Sequence, residues 1–255
     1  PPPAPPDQSF PDVPLEAWEP YRESSLRPDG QLPRNYGVFI LRSDDFIAIV
    51  DTGLGPGPHQ AQNGMEEQLL ANLAAEGVRP EDTTAVLNTH LHPDHVGWNL
   101  TDGRATFPNA RYCVSRVDWG YWTGGGEIAP HVRESAVPLE ALNVLELVDD
   151  GDEMLPGVRA LATPGHTPGH QSILIESDGD RAIVTGDLLH TAAQLQETDW
   201  AFRADVDKPL ASATRRALIE RAVREKLTLA VGHMPIDTNI GQVIEVEGRR
   251  YWQVV

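Results

Sequence analysis

The chain has 255 residues, 40% of them hydrophobic, enough to bury the core of one large domain or two small ones. Its 20 Lys and Arg stand against 38 Asp and Glu, a formal net charge of −18, which repels a phosphate backbone and argues against nucleic acid as a partner. A single cysteine, Cys113, rules out an intrachain disulfide and a thiolate zinc cluster, and no apolar run nears the ~20 residues of a membrane helix.

Residues 1–34, opening on PPPAPPDQSFPDVP, are rich in proline and acidic side chains and show no periodicity. They read as an extended arm, ordered by packing on the body or on a second subunit, and in the latter case the assembly is a homodimer. The segment lacks the basic and apolar regions of a signal peptide, so a cytoplasmic protein is expected. Residues 35–255 read as one domain. YGVFILRSDDFIAIVDTG predicts two strands about a Ser43-Asp44-Asp45 turn, the second ending at Asp51. GMEEQLLANLAAEG predicts a helix with Leu69, Leu70 and Leu73 on its apolar stripe and Gly77 as its stop. TAVLNTH and ARYCVS predict strands, RVDWGYW a helical turn and TGGGEIAP a loop. MLPGVRALATPGHTPGHQSILIES reads as strand, irregular turn, strand. RAIVTGD and LTLAVGH are further strands, separated by the amphipathic helix PLASATRRALIERAVREK, and GQVIEVEGRRYWQVV closes the chain as a hairpin about Glu247-Gly248. Helices interspersed among strands suggest an α/β layered domain.

Strand-like runs repeatedly end in metal-capable residues: Asp51, His90, His166, Asp187 and His233. The densest stretch is NTHLHPDHVGW, with His90, His92, Asp94 and His95 inside six residues. Two imidazoles at i and i+2 on a strand end can face one side, and Pro93 is suited to open a helix that presents Asp94 and His95 from another. Nitrogen and oxygen donors of this kind suit zinc, manganese, iron or cobalt, and four ligands in so tight a turn divide more naturally between two ions than around one. The remaining histidines carry less: His59 and His131 lie in Gly/Pro loops and are expected to be exposed.

HLHPDH matches the HxHxDH motif of the metallo-β-lactamase-fold hydrolases, and the resemblance runs in order through IVDTG, TPGHTPGH, TGD and VGH, over nearly the whole chain from residue 35. It implies a four-layer αββα sandwich with the site at one edge of the two sheets. It implies a first metal on His90, His92 and His166, a second on Asp94, His95 and His233, and Asp187 bridging both. Asp51 would fix the motif loop by hydrogen bonds, and His170 would be a supporting neighbour rather than a ligand. The cofactors implied are two divalent ions, zinc first, with manganese, cobalt or iron as alternatives.

The chemistry implied is hydrolysis by a hydroxide shared between two metals, with no Ser or Cys nucleophile. Two dications with Asp94, Asp187 and hydroxide leave a net charge of about +1, suited to an anionic transition state. Asp94 or a bound water is the expected proton shuttle. For the substrate wall the aromatic segment VDWGYWTGGGEIAP suggests Trp119, Tyr121 and Trp122, with the Gly-rich stretch as a lid, and the segment after Asp187 adds His190 and Phe202. A small, rather apolar lactone or ester is the first expectation. The motif spacing is most similar to the methyl parathion hydrolase and lactonase-like branch, so a phosphotriester is the runner-up. The acyl-homoserine lactonases usually carry tyrosine three residues after the bridging aspartate, where this chain has His190. A di-iron redox enzyme, a glyoxalase-like thioesterase, an RNA-processing nuclease and a β-lactamase fit the sequence less well.

Overall fold

Alternating side chains sort the strands into layers. Residues 1–255 are described by a computed structural model. The first sheet draws on β1 (Phe39–Arg42), β2 (Ile47–Val50), β3 (Ala85–Leu87), β6 (Arg111–Ser115) and β7 (Leu145–Val148), in the order β1-β2-β3-β6-β7. A small separate hairpin, β4 (Leu100–Thr101) and β5 (Arg104–Ala105), sits between β3 and β6 in the chain. The second sheet holds β8 (Glu153–Leu155), β9 (Val158–Ala162), β10 (Gln171–Ser177), β11 (Asp180–Val184), β12 (Thr228–Ala230), β13 (Ile240–Val246) and β14 (Arg249–Val254), ordered β14 through β8.

Successive residues of a strand point to opposite faces. Ala48 and Val50, Ala85 and Leu87, Cys113, Ile173, Val184 and Ala230 therefore fill one buried core between the sheets. Their neighbours Ile49, Val86 and Tyr112 point outward, onto Leu69 and Leu73 of the helix Leu69–Ala75 and onto Trp98, Phe107 and Leu139. On the far side Ile183 and Leu229 meet Leu218, Ile219 and Ala222 of the long helix Lys208–Glu225. That helix starts at a real cap, Asp207 accepting from the Leu210 amide at 2.9 Å. Helices on both outer faces of two packed sheets make the αββα sandwich.

The topology also aims the site. The pairs β2–β3 and β11–β12 are parallel, so each pair delivers its carboxyl ends to one edge. Asp51 follows β2, His90 follows β3, Asp187 follows β11 and His233 follows β12. All four loops meet at one rim of the sandwich.

Some elements differ from the sequence reading. MLPGVRALA is two strands, β8 and β9, because Gly157 at φ 73° closes a turn after Pro156. β7 and the short helices Pro130–Ser135 and Pro138–Ala141 were not legible as elements. The first 34 residues are not extended. They form the short helices Pro6–Ser9 and Arg22–Ser25 around a 3₁₀ helix, Leu15–Tyr21. Phe10, Val13, Trp18 and Leu32 bury themselves against Ala193, Trp200 and Phe202 of the body. Apolar burial organises the segment where periodicity gives no sign of it. No helix is long and apolar enough to cross a membrane.

Candidate metal centre

Six imidazoles and two carboxylates meet at the rim. The histidine nitrogens are sorted by what their outer ring atom touches. His95 Nδ1–H donates to Asp51 at 2.8 Å, His166 Nδ1–H to Asp205 at 2.8 Å, and His233 Nδ1–H to the Asn35 carbonyl at 2.7 Å. His90 Nδ1 lies 3.1 Å from Thr89 Oγ1, whose own proton goes to Asp51 at 2.8 Å. Once the imidazole is neutral, each outer bond holds the tautomer that leaves Nε2 as a lone-pair donor facing inward.

The inward atoms form two groups. His90, His92, His166 and Asp187 offer donor atoms within 4.8 Å of one another, and so do Asp94, His95 and His233. Asp187 lies between them. Its Oδ2 is 3.1 Å from His166 Nε2 and 4.0 Å from His90 Nε2, and its Oδ1 is 2.9 Å from His233 Nε2 and 3.0 Å from His95 Nε2. The two oxygens of one carboxylate thus serve opposite sides.

A metal fits these donors. His92 Nδ1 stands 2.9 Å from both His90 Nε2 and His166 Nε2, so three nitrogens converge with room for few protons. Donors on a zinc ion at ~2.0–2.1 Å stand about 3.3 Å apart, close to this spacing. His95 Nε2 is buried, approaches Asp187 without hydrogen-bond alignment, and has no other partner. Such an orphaned buried nitrogen is what a cation would satisfy.

The electrostatics agree. Burial opposes the protonated form of every imidazole here. At His95 the charges of Asp187 and Asp51 outweigh burial and raise the pKa well above its usual value, and at His166 Asp187 and Asp205 raise it to about 9. His233 is raised by Asp187 in the same way. Burial wins at His90, pushed well down, and at His92, lowered to about 3. Asp187 is held well below the carboxylate range: burial would raise it, and the charges of His233, His95 and His166 prevail. The cluster demands positive charge at its centre and keeps neutral imidazoles beside it.

His170 is separated from its neighbour in TPGHTPGH by its bonds. Its Nδ1–H donates to the Thr163 carbonyl at 3.0 Å, and its Nε2 accepts from the Asp187 amide at 2.9 Å. Both nitrogens are committed, so it supports Asp187 and cannot turn inward. The support is tight: Gly186, at φ 55°, would carry a Cβ 2.5 Å from His170 Nε2. Asp51 is itself unusual, a non-glycine residue at φ 61°. There its carboxylate accepts from the Thr89 amide at 2.7 Å as well as from His95, tying the end of β2 to the motif loop.

A cavity of about 240 Å³ opens on the donors, lined by His92, Asp94, His166, Asp187, His190 and His233 together with Leu54, Phe202, the arm residues Leu32 and Arg34, and Tyr36 just beyond the arm. His190 is sandwiched, 3.7 Å and 15° from the Phe202 ring and 4.8 Å and 7° from His233, with Nε2 3.3 Å from Asp187. Its pKa is lowered to about 4 by burial.

Trp119 and Trp122 do not line this cavity. The helix Arg116–Thr123 sets them three residues apart, where they pack on the cluster of Leu91, Val96 and Val132. Trp122 touches the site only through the His92 ring, edge-on at 5.5 Å. Tyr121 is exposed. His59 and His131 are half-buried rather than exposed, His59 Nε2 lying 2.9 Å from the Gly55 carbonyl and His131 meeting the Trp122 edge at 5.3 Å. Sequence reasoning missed Asp205, Thr89 and Asn35, which orient the histidines, and the arm residues of the cavity. Asp205 lies 39 positions from His166 and Asn35 198 from His233, and neither sits in a motif.

The chain and its fold have relatives among known proteins. The sequence model of the Metallo-beta-lactamase superfamily matches residues 31–233. An N-acyl homoserine lactonase from a Bacillus species is 31% identical over 230 residues, 82% of this chain and 85% of that protein. Another, AttM of Azorhizobium caulinodans, is 33% identical over 67% of this chain and 65% of its own length. Among solved structures, the hydrolase AbOPH of the β-lactamase superfamily superposes with a TM-score of 0.84 at 25% identity, covering 100% of this chain and 91% of the other. AidC, a dizinc quorum-quenching lactonase solved with N-hexanoyl-L-homoserine, shares the fold with a TM-score of 0.82 at 20% identity over 96% of this chain and 88% of its own. The chain belongs to the metallo-β-lactamase superfamily and is a metal-dependent hydrolase.

Proposed function

We propose that this enzyme hydrolyses small lactones and related esters, N-acyl homoserine lactones among them, with two zinc ions. One ion is assigned to His90, His92 and His166, the other to Asp94, His95 and His233, with Asp187 shared. The observation that carries the reading is the division of the Asp187 carboxylate, Oδ2 toward His166 and Oδ1 toward His95 and His233, beside a cavity sized for a small substrate. When bound, the metals supply Lewis acidity and an activated water.

The chain's own residues do the rest. Asp51, Thr89, Asp205 and Asn35 hold the imidazoles in fixed tautomers, so little reorganisation accompanies reaction. Leu32, Leu54 and Phe202 give an acyl group apolar contact, and Arg34 and Arg203 at the cavity offer donors to its polar end. Asp94, half-buried at the cavity, is placed to pass a proton to the product alcohol. Residues 35–255 are then the catalytic unit, and the arm completes its pocket.

The test is metal analysis joined to a substrate screen. Purified protein should carry about two zinc ions per chain. A panel of acyl homoserine lactones, simple lactones, aryl esters, thioesters and phosphotriesters should show the lactones with the highest kcat/KM, and chelation should abolish turnover. A phosphotriester or thioester turned over best, or one metal per chain at full activity, would reject the proposal.

A further inference from the structure

Tyr36 brings the one phenol to the cavity wall. Its ring stands edge-on to His233, with centroids 6.0 Å apart and planes at 84°. The hydroxyl is half-buried there, close enough to Asp94 to feel its charge. Arg34 Nη2–H donates to the phenol oxygen at 3.1 Å. Arg34 and Gln62 line the same cavity. A phenol oxygen accepts at two lone pairs and donates one proton. The bond from Arg34 is an accepted one, so the phenol proton is left to point at whatever fills the cavity.

The side on which it stands matters. His233 belongs with Asp94 and His95, and His190, the next residue around Asp187, is pinned between Phe202 and His233 with its Nε2 on the carboxylate. The stacked imidazole is held by its neighbours, whereas the phenol has a free donor. A fixed donor is worth most where charge develops in the transition state.

We infer that Tyr36 is a catalytic residue whose hydroxyl donates a hydrogen bond to the leaving alkoxide oxygen of the substrate. The inference rests on the ester and lactone reading of the site. In the reaction, water adds to the acyl carbon and the acyl–oxygen bond breaks. Its electron pair goes to the alkoxide, and the water supplies both the new carboxyl oxygen and the proton that ends on the alcohol. The phenol keeps its own proton and only stabilises the departing charge. The segment just beyond the arm is therefore part of the catalytic apparatus, and Arg34 of the arm holds its phenol.

The experiment compares wild type with Tyr36→Phe on esters that share one acyl group and differ in leaving group, alongside a lactone. The phenylalanine variant should keep the wild-type zinc content. Its kcat should fall about 100-fold on the ethyl ester and the lactone, the loss typical of removing one oxyanion donor. On the 4-nitrophenyl ester, whose leaving group needs little help, the loss should be under about threefold, and KM should barely move throughout. Equal losses on all leaving groups, no loss on any, or a variant that fails to bind zinc overturns the inference. If wild type hydrolyses the esters but no lactone, the lactone reading alone fails, and the two esters still decide the role of Tyr36. Absence of turnover of every ester by zinc-loaded wild type rejects both.

Discussion

At the scale of single residues, Asp205 governs His166 without reaching the cavity. Its Oδ1 takes the His166 Nδ1 proton at 2.8 Å, while its Oδ2 lies 3.4 Å from Arg215 Nη2 and accepts from the Phe202 amide at 2.9 Å. Arg215 is fully buried, and its other partners are the carbonyls of Leu188, Thr198 and Trp200. Removing the Asp205 charge therefore has two separable effects. Partners of this kind typically cost 10–100-fold in metal affinity, and an uncompensated buried charge costs about 3–5 kcal/mol of stability. Asp205→Asn should bind the first zinc roughly 10–100-fold more weakly by competitive chelator titration. It should also melt well below wild type when both are metal-free. Affinity unchanged beside a lowered melting temperature would make Asp205 a partner of Arg215 alone.

At the scale of elements, each side of the sandwich rests on strands whose alternate residues serve different layers. Ile219 is fully buried on the long helix, packed against Ile183 and Leu229. Ile219→Ala should destabilise the fold by about 2–5 kcal/mol in a denaturant titration. It should leave the zinc content intact, because Ile219 packs on the outer face of the second sheet, whereas the helix meets the loops of His166 and Asp187 only through its first turns, at Ala211, Thr214 and Arg215. Loss of zinc in the folded variant would mean the helix sets the spacing of Asp187 and His233. The same element logic explains what the sequence made legible. HLHPDH was readable because four rare donors crowd one turn, and strands ending at Asp51, Asp187 and His233 announced a shared rim. Trp119 and Trp122 misled because an aromatic pair beside a Gly-rich loop looks like a pocket wall. Three residues apart on a helix, they face Leu91, Val96 and Val132. Tyr36 and Arg34 gave no local signal, since an irregular segment reaches its place only through distant contacts, the packing of Phe10, Trp18 and Leu32 on the body and the bonds of Asn35 and Gly37 to residues 232–234.

At the scale of the whole molecule, metal binding and proton binding compete for one set of nitrogens. In the metal-free protein Asp187 gathers protons onto its neighbours: His166 titrates at about 9, His95 well above its ordinary value and His233 above it, while His92 lies near 3. Near pH 7 His166 and His95 hold protons that zinc must displace, with His233 shifted in the same direction, whereas His90 and His92 bind it already neutral. The sign follows from the raised values. Raising the pH toward 9 removes the competing protons and strengthens zinc binding, and lowering it weakens binding steeply. The net charge of −18 adds a field that draws cations to the protein, and salt screens that field without touching the local proton competition. Calorimetry in two buffers of different ionisation enthalpy, at pH 7 and again at pH 9, separates these contributions. Zinc uptake should release on the order of two to three protons per chain at pH 7 and clearly fewer at pH 9. The count should be the same in low and high salt, with only the affinity lower in salt. Release that does not change between the two pH values would mean that the imidazoles around Asp187 are already neutral at pH 7. The carboxylate would then be holding the cluster together by hydrogen bonds rather than by charge.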